Sequence, residues 1–184
     1  ADLEGGVPYL AQQYVATESL DVAMRHYAPA SLETALPLIT QLGEAIDAAH
    51  KQGYVHGALH LRDIFVTSHE ARATGFGLVK ALEEVGLRGP IRRPYAAPEV
   101  IIGRPWGKQA DYFALAAIAY ELLTGKRAAG TDEQVIERLD TVAEVDDRKA
   151  LHAVFTSALG DSPEARCASA TDFVVGLQDA IGRN

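Results

Sequence analysis

The segment from Tyr112 to Thr124, YFALAAIAYELLT, is apolar on nearly every side. A helix without a polar face has to be enclosed by other elements, so this chain must fold around it. Asp111, immediately before, reads as its N-cap and Gly125 as its stop. The longest uninterrupted apolar part, Phe113 to Tyr120, is far short of the ~20 residues that span a bilayer and runs into Glu121. With 184 residues, 48% apolar and 23% charged, the chain has enough material for one globular core, at about 150 residues per domain.

The rest of the pattern supplies candidates for that enclosure. Val7 to Val15 is rich in β-formers and reads as a strand after Gly5-Gly6. Leu20, Ala23, Met24 and Tyr27 recur at helical spacing behind Ser19. A longer helix opens at Ser31 and keeps one apolar face through Leu38, Leu42, Ile46 and Ala49 until Gly53. Ile64-Phe65-Val66 and Phe76-Gly77-Leu78 read as short strands. Glu83 to Trp106 is broken by Gly and Pro and reads as a long functional loop. Amphipathic helices are expected near 132–139, 147–159 and 169–181, the last two separated by the turn Gly160-Asp161-Ser162-Pro163.

Composition excludes several classes of function. Seventeen Lys and Arg against 25 Asp and Glu give a net charge of −8, which opposes a general nucleic-acid footprint while leaving room for local basic patches. A single cysteine, Cys167, permits neither an internal disulfide nor a cysteine-based zinc site. The start of the sequence has no charged-then-apolar signal pattern. A cytoplasmic setting is expected, with any membrane tether lying in segments outside this sequence. P-loop, H-E-x-x-H and G-x-S-x-G motifs are absent.

Three short motifs lie in order ahead of the enclosed helix. They are His56-Gly57-Ala58-Leu59-His60-Leu61-Arg62-Asp63, then Gly75-Phe76-Gly77, then Ala97-Pro98-Glu99. They stand where H-R-D-L-x-x-x-N, D-F-G and A-P-E stand in protein kinases. Together with Asp111, Leu115 and Tyr120 to Gly125, they make the chain resemble the C-terminal lobe of a eukaryotic-type Ser/Thr protein kinase, most like the bacterial members. The resemblance runs from a hinge-like Gln13-Tyr14-Val15 to Arg166. It implies a mainly α fold with a few short strands, with the N-terminal lobe absent from the chain. It divides the chain into a strand and hinge (1–16), catalytic and metal loops (54–80), an activation-like segment (81–106) and a helical subdomain (111–184).

The resemblance also assigns each position a task, which its side chain can then be checked against. Phosphoryl transfer needs a base or positioner, Mg²⁺ ligands and cations over the developing charge. Ala58 stands at the catalytic aspartate, and a methyl group cannot accept a proton. Gly75 stands at the metal-binding aspartate and has no side-chain oxygen. His60 replaces the lysine of the loop and is mostly neutral near pH 7 at a reference pKa of about 6.5. Asp63 matches the second metal ligand, an asparagine in the family, and is the candidate Mg²⁺ ligand; a surface or helix-facing aspartate is the other reading. Gln13 and Val15 match the hinge that meets adenine. Phe65 matches the residue beneath adenine, or is an ordinary core aromatic. Gly57 stands at the arginine that reads an activation-loop phosphate, and the segment from Gly75 to Glu99 carries no Ser or Thr to bear one.

The remaining matches imply architecture. His56, Phe76 and Asp111 correspond to an internal scaffold, and Glu99 with Arg166 to a salt bridge. Retained scaffold beside altered chemistry reads as a catalytically inactive pseudokinase, not an enzyme, that acts by protein binding or regulation. Its partners would be proteins docking on Arg88, Arg92 and Arg93 or on the lobe interface, with a homodimer as one form. No cofactor is expected. The alternative is a nucleotide-binding or weakly active Ser/Thr kinase, with ATP and Mg²⁺ engaged through Asp63 and the hinge.

Overall fold

The apolar stretch is one helix, Lys108–Thr124, in which every residue from Ala110 to Thr124 is buried. The computed structural model describes residues 2–4, 7–9, 14–67, 70–128 and 133–182. In chain order, strands β1 (Asp2–Glu4) and β2 (Val7–Tyr9) form an antiparallel pair. Helices α1 (Leu20–Tyr27) and α2 (Leu32–Lys51) follow. A 3-10 turn (Leu61–Asp63) leads into strands β3 (Ile64–Val66) and β4 (Ala71–Ala73), paired antiparallel with Phe65 opposite Arg72. Then come α3 (Leu78–Glu84), α4 (Pro98–Ile101) and the buried helix, α5 (Lys108–Thr124). The chain closes with α6 (Glu133–Glu137), α7 (Arg148–Ala158) and α8 (Ala170–Ile181). The architecture is mostly helical, as expected.

Helix α2 packs against both α5 and α8, while α7 packs on α8 and α5. The apolar face of α2 (Leu36, Ile39, Leu42, Ile46) is fully or nearly fully buried there. Tyr120, Phe155 and Phe173 stack edge to face with centroids 6.0 and 5.6 Å apart and tie α5, α7 and α8 together. Ser31 Oγ accepts from Thr34 N and Ser169 Oγ accepts from Asp172 N, whereas Ser19 makes no cap and gives its hydroxyl to Asp21. Asp47 on α2 adds a tertiary cap, accepting from the Ala170 and Thr171 amides at 3.0 and 2.9 Å at the start of α8.

Four local expectations change. Of the strand expected from Val7 to Val15, Val7–Tyr9 pairs in a hairpin, residues 10–13 lie outside the described residues, and Tyr14 and Val15 lie outside any strand. Phe76-Gly77 forms a turn, and Leu78 begins α3; Gly77, at φ 77°, caps that helix in a left-handed conformation that excludes a strand. The segment 83–106 is less irregular than its Gly and Pro content suggests, because Pro98 sits at the first turn of α4. Asp111 lies inside α5, one turn past its start at Lys108, and its carboxylate is used elsewhere.

Candidate functional site

The site is built on a carboxylate that reaches out of a helix to hold a loop. Asp111 is completely buried. Its two oxygens accept from the His56 and Gly57 amides, both at 2.8 Å, and its Oδ2 also meets His50 Nε2 at 2.8 Å. These charge-assisted bonds fix the start of the loop at 56–63 over the N-terminal half of α5. His50, at the end of α2, also contacts Tyr112 Oη at 3.3 Å.

His56 carries the contact onward. Its Nε2 donates to the Thr74 carbonyl at 2.8 Å, and its Nδ1 accepts from the Ala58 amide at 3.4 Å. Those partners place a proton on Nε2. Its ring meets Phe76 edge to face at 5.1 Å. The structure therefore brings His56, Phe76 and Asp111 together with Gly75, whose added Cβ would lie 3.3 Å from His56 Nε2 and whose φ is 91°.

Glu99 and Arg166 meet in a second buried cluster. Arg166 donates to both Glu99 oxygens, at 2.7 and 2.9 Å, and to the Gln109 and Gly160 carbonyls, while lying 5.1 Å from the Phe113 ring centroid. The fork geometry ties α4 to the start of α5 and to the turn at 160–166.

At the chemical end of the loop, Asp63 is held on both sides. Its backbone carbonyl accepts from the Thr74 amide at 2.8 Å, and its Oδ2 accepts from Arg92 Nη1 at 2.5 Å and lies 3.8 Å from His56 Nε2. His60 Nδ1 accepts from the Arg62 amide, and its ring lies edge to face on Tyr95 at 4.9 Å. Burial and the neighbouring Arg92 charge push the His60 pKa below the ordinary histidine value. Ala58 is buried and offers only its methyl group.

Mg²⁺ prefers a nearly octahedral set of oxygens. Gly75 supplies none, the Asp63 carboxylate is paired with a guanidinium, and among the described residues no group of three or more His, Cys, Asp or Glu could hold a metal ion. In this arrangement the Asp63 carboxylate is committed to Arg92. Of the adenine-side candidates, Gln13 lies outside the described residues. Val15 is half-buried, with its carbonyl taken by the Thr17 amide at 2.9 Å; Phe65 is half-buried in β3 and bridges Ser19.

The three candidate arginines separate. Arg92 and Arg93 line a cleft of about 590 Å³ beside His60 and α1, whereas Arg88 lines a different groove of about 570 Å³ beside Trp106. Trp106 escaped the sequence reading, yet its ring lies where a Gly57 side chain would go: an added Cβ would approach it to 2.4 Å. No local spacing in the sequence links Gly57 to Trp106. His50 and Glu121 were also missed, because their partners Asp111 and Tyr95 lie far away in the chain, and with Glu121 went Arg127, which pairs with it. Tyr95 Oη donates to Glu121 Oε2, and Arg127 reaches Glu121 Oε1 at 3.5 Å. Burial, reinforced by that bond to a carboxylate, raises the Tyr95 pKa far above the ordinary phenol value.

A family model described as the protein kinase domain matches residues 5–176. The chain is 31% identical over 134 residues to serine/threonine-protein kinase PknA of Mycobacterium tuberculosis, covering 70% of this chain and 31% of that protein. It is 28% identical over 191 residues to serine/threonine-protein kinase PknH of the same organism, covering 96% of this chain and 30% of that protein. The chain thus spans about a third of the length of these relatives. The crystal structure of the M. tuberculosis PknI kinase domain superposes with a TM-score of 0.68 at 24% identity, covering 91% of this chain and 63% of that one, a likeness of fold. These matches overturn the expectation that the chain is not an enzyme: its relatives are named as kinases and the family model runs through both altered motifs. Ala58 and Gly75 remove two particular groups, and Asp63 keeps a carboxylate in the catalytic loop.

Proposed function

This chain belongs to the protein kinase family, and from that membership we propose that it is the protein-binding helical lobe of a Ser/Thr-kinase-like protein. The protein would dock where the loop 56–63 meets the turn at 91–95. The observation that carries this reading is the locking of those two segments by the Asp63–Arg92 and His60–Tyr95 contacts, beside an open cleft of about 590 Å³. Two loops fixed on a buried helix offer a preformed surface, which lowers the ordering cost of binding.

Selection of peptides from a displayed random library, followed by hydrogen-exchange footprinting, tests the reading. Selected peptides should protect amides in 58–63 and 91–96 and lose binding in Arg92→Ala. Protection only elsewhere in the chain would overturn it.

A second reading, nucleotide binding with phosphoryl transfer, rests on Asp63, the one carboxylate in the motif 56–63. Calorimetric titration of ATP into the full-length protein, with transfer of labelled phosphate to an acceptor protein, tests it. Transfer that survives Asp63→Ala would remove Asp63 from the chemistry.

A further inference from the structure

The cleft beside His60 has an uneven charge for a chain of net charge −8. Arg25, Arg62, Arg92, Arg93 and Arg127 line it, against Asp21 and Glu121. Each of these carboxylates is already engaged. Asp21 receives the Ser19 hydroxyl at 2.6 Å and faces Arg25 and Arg62 at 3.2 and 3.5 Å. The Ser19 bond, opposed by burial and helped by the two arginines, holds its carboxyl below the ordinary aspartate value. Glu121 takes the Tyr95 hydroxyl on one oxygen and Arg127 on the other. Arg92 is spent on Asp63 just behind the wall.

Five guanidinium groups therefore answer three carboxylates. Arg25 and Arg62 share one of them, and Arg93 is exposed and has no recorded ion-pair or hydrogen-bond partner among the described residues. Neither lining carboxylate is free to receive a cation. Each ion pair of the two lining carboxylates is made by an arginine, through a single guanidinium nitrogen that leaves the rest of the planar group open to a further carboxylate.

We infer that this cleft recognises an acidic segment of a protein, placing Asp or Glu side chains against Arg93 and the outer faces of Arg62 and Arg127. The inference rests on the protein-docking reading above and deepens it by naming the chemistry of the ligand. Exposed arginines of this kind act mainly on encounter and selectivity, so binding weakens as salt rises.

Fluorescence anisotropy of the chain with four labelled nonapeptides of one frame tests the inference. The frame carries Glu, Gln, Lys or phosphoserine at its three central positions. The Glu peptide should bind at least about tenfold more tightly than the Gln peptide, a difference of about 1.4 kcal/mol, and the Lys peptide should not compete. Arg93→Glu, at an exposed position without recorded partners, should remove that preference, whereas Arg138→Glu, outside the cleft, should leave it. Arg127→Ala frees Glu121 and should weaken the Glu peptide while admitting the Lys peptide. Equal binding of all four peptides, preference for Lys, binding of the phosphoserine peptide alone, or a Glu preference that survives Arg93→Glu would each overturn it. Neutral library peptides footprinting to this cleft would sink the acidic assignment and leave the docking reading standing. A library in which nothing footprints there would sink both.

Discussion

At the residue scale, the strongest contacts are buried charges with several partners each. Arg166 is held by Glu99 and two backbone carbonyls, and its side chain is fully buried. Removing one member of such a pair leaves the other uncompensated, which typically costs about 3–5 kcal/mol. Arg166→Ala is expected to lower the urea midpoint accordingly in an equilibrium unfolding series. His60 acts through pH. Burial, with Arg92 and Arg62 outweighing Asp63 and Asp21, depresses its folded pKa below the unfolded value of 6.5. The unfolded chain therefore takes up a proton before the folded one, and the contribution of His60 is lost as pH falls below about 6.5 toward the depressed folded value. In His60→Gln, thermal stability measured between pH 7 and pH 5 should decline less than in the parent.

At the scale of elements, the loop 56–63 is shaped by two things that meet at Gly57. Asp111 pins its amide from below, and the Trp106 ring closes over the place of its side chain. With φ at 75° and an added Cβ only 2.4 Å from the ring, Gly57→Ala is expected to destabilise the fold by about 1–3 kcal/mol. Part of that cost should be recovered when Trp106→Ala is added, a non-additivity that a double-mutant cycle reads directly. Element type was legible where a periodic face was clear: α2, opening at Ser31, and α8, within 169–181, lie close to where spacing put them. It was not legible at Phe76-Gly77-Leu78, where three residues carry no period and the left-handed Gly77 turns the chain into a helix. The motif positions could be read from their order. The occupancy of the Gly57 place by Trp106 could not, since the two residues are far apart in the chain.

At the scale of the whole molecule, α5 is the hub. It touches α2, α7 and α8, and Ala116, Ala117, Ile118 and Ala119 on consecutive positions have no exposed surface. Its hydrogen bonds can open only when the surrounding helices part, so native-state hydrogen exchange should find its central amides among the slowest and close to the global unfolding free energy. The edges of α1 and the turn at 91–95, which line the open cleft, should exchange sooner. That enclosed helix, the helical periodicities around it, the motif order and the altered groups at Ala58 and Gly75 were determined by the sequence itself, because each depends on residue type and local spacing. The tertiary structure alone decided that Asp111 serves as a buried clamp, that Arg92 occupies Asp63, that Arg88 parts from Arg92 and Arg93, and that five arginines converge on one cleft. Such contacts join side chains from distant segments, and their partners are set by how the helices pack around α5.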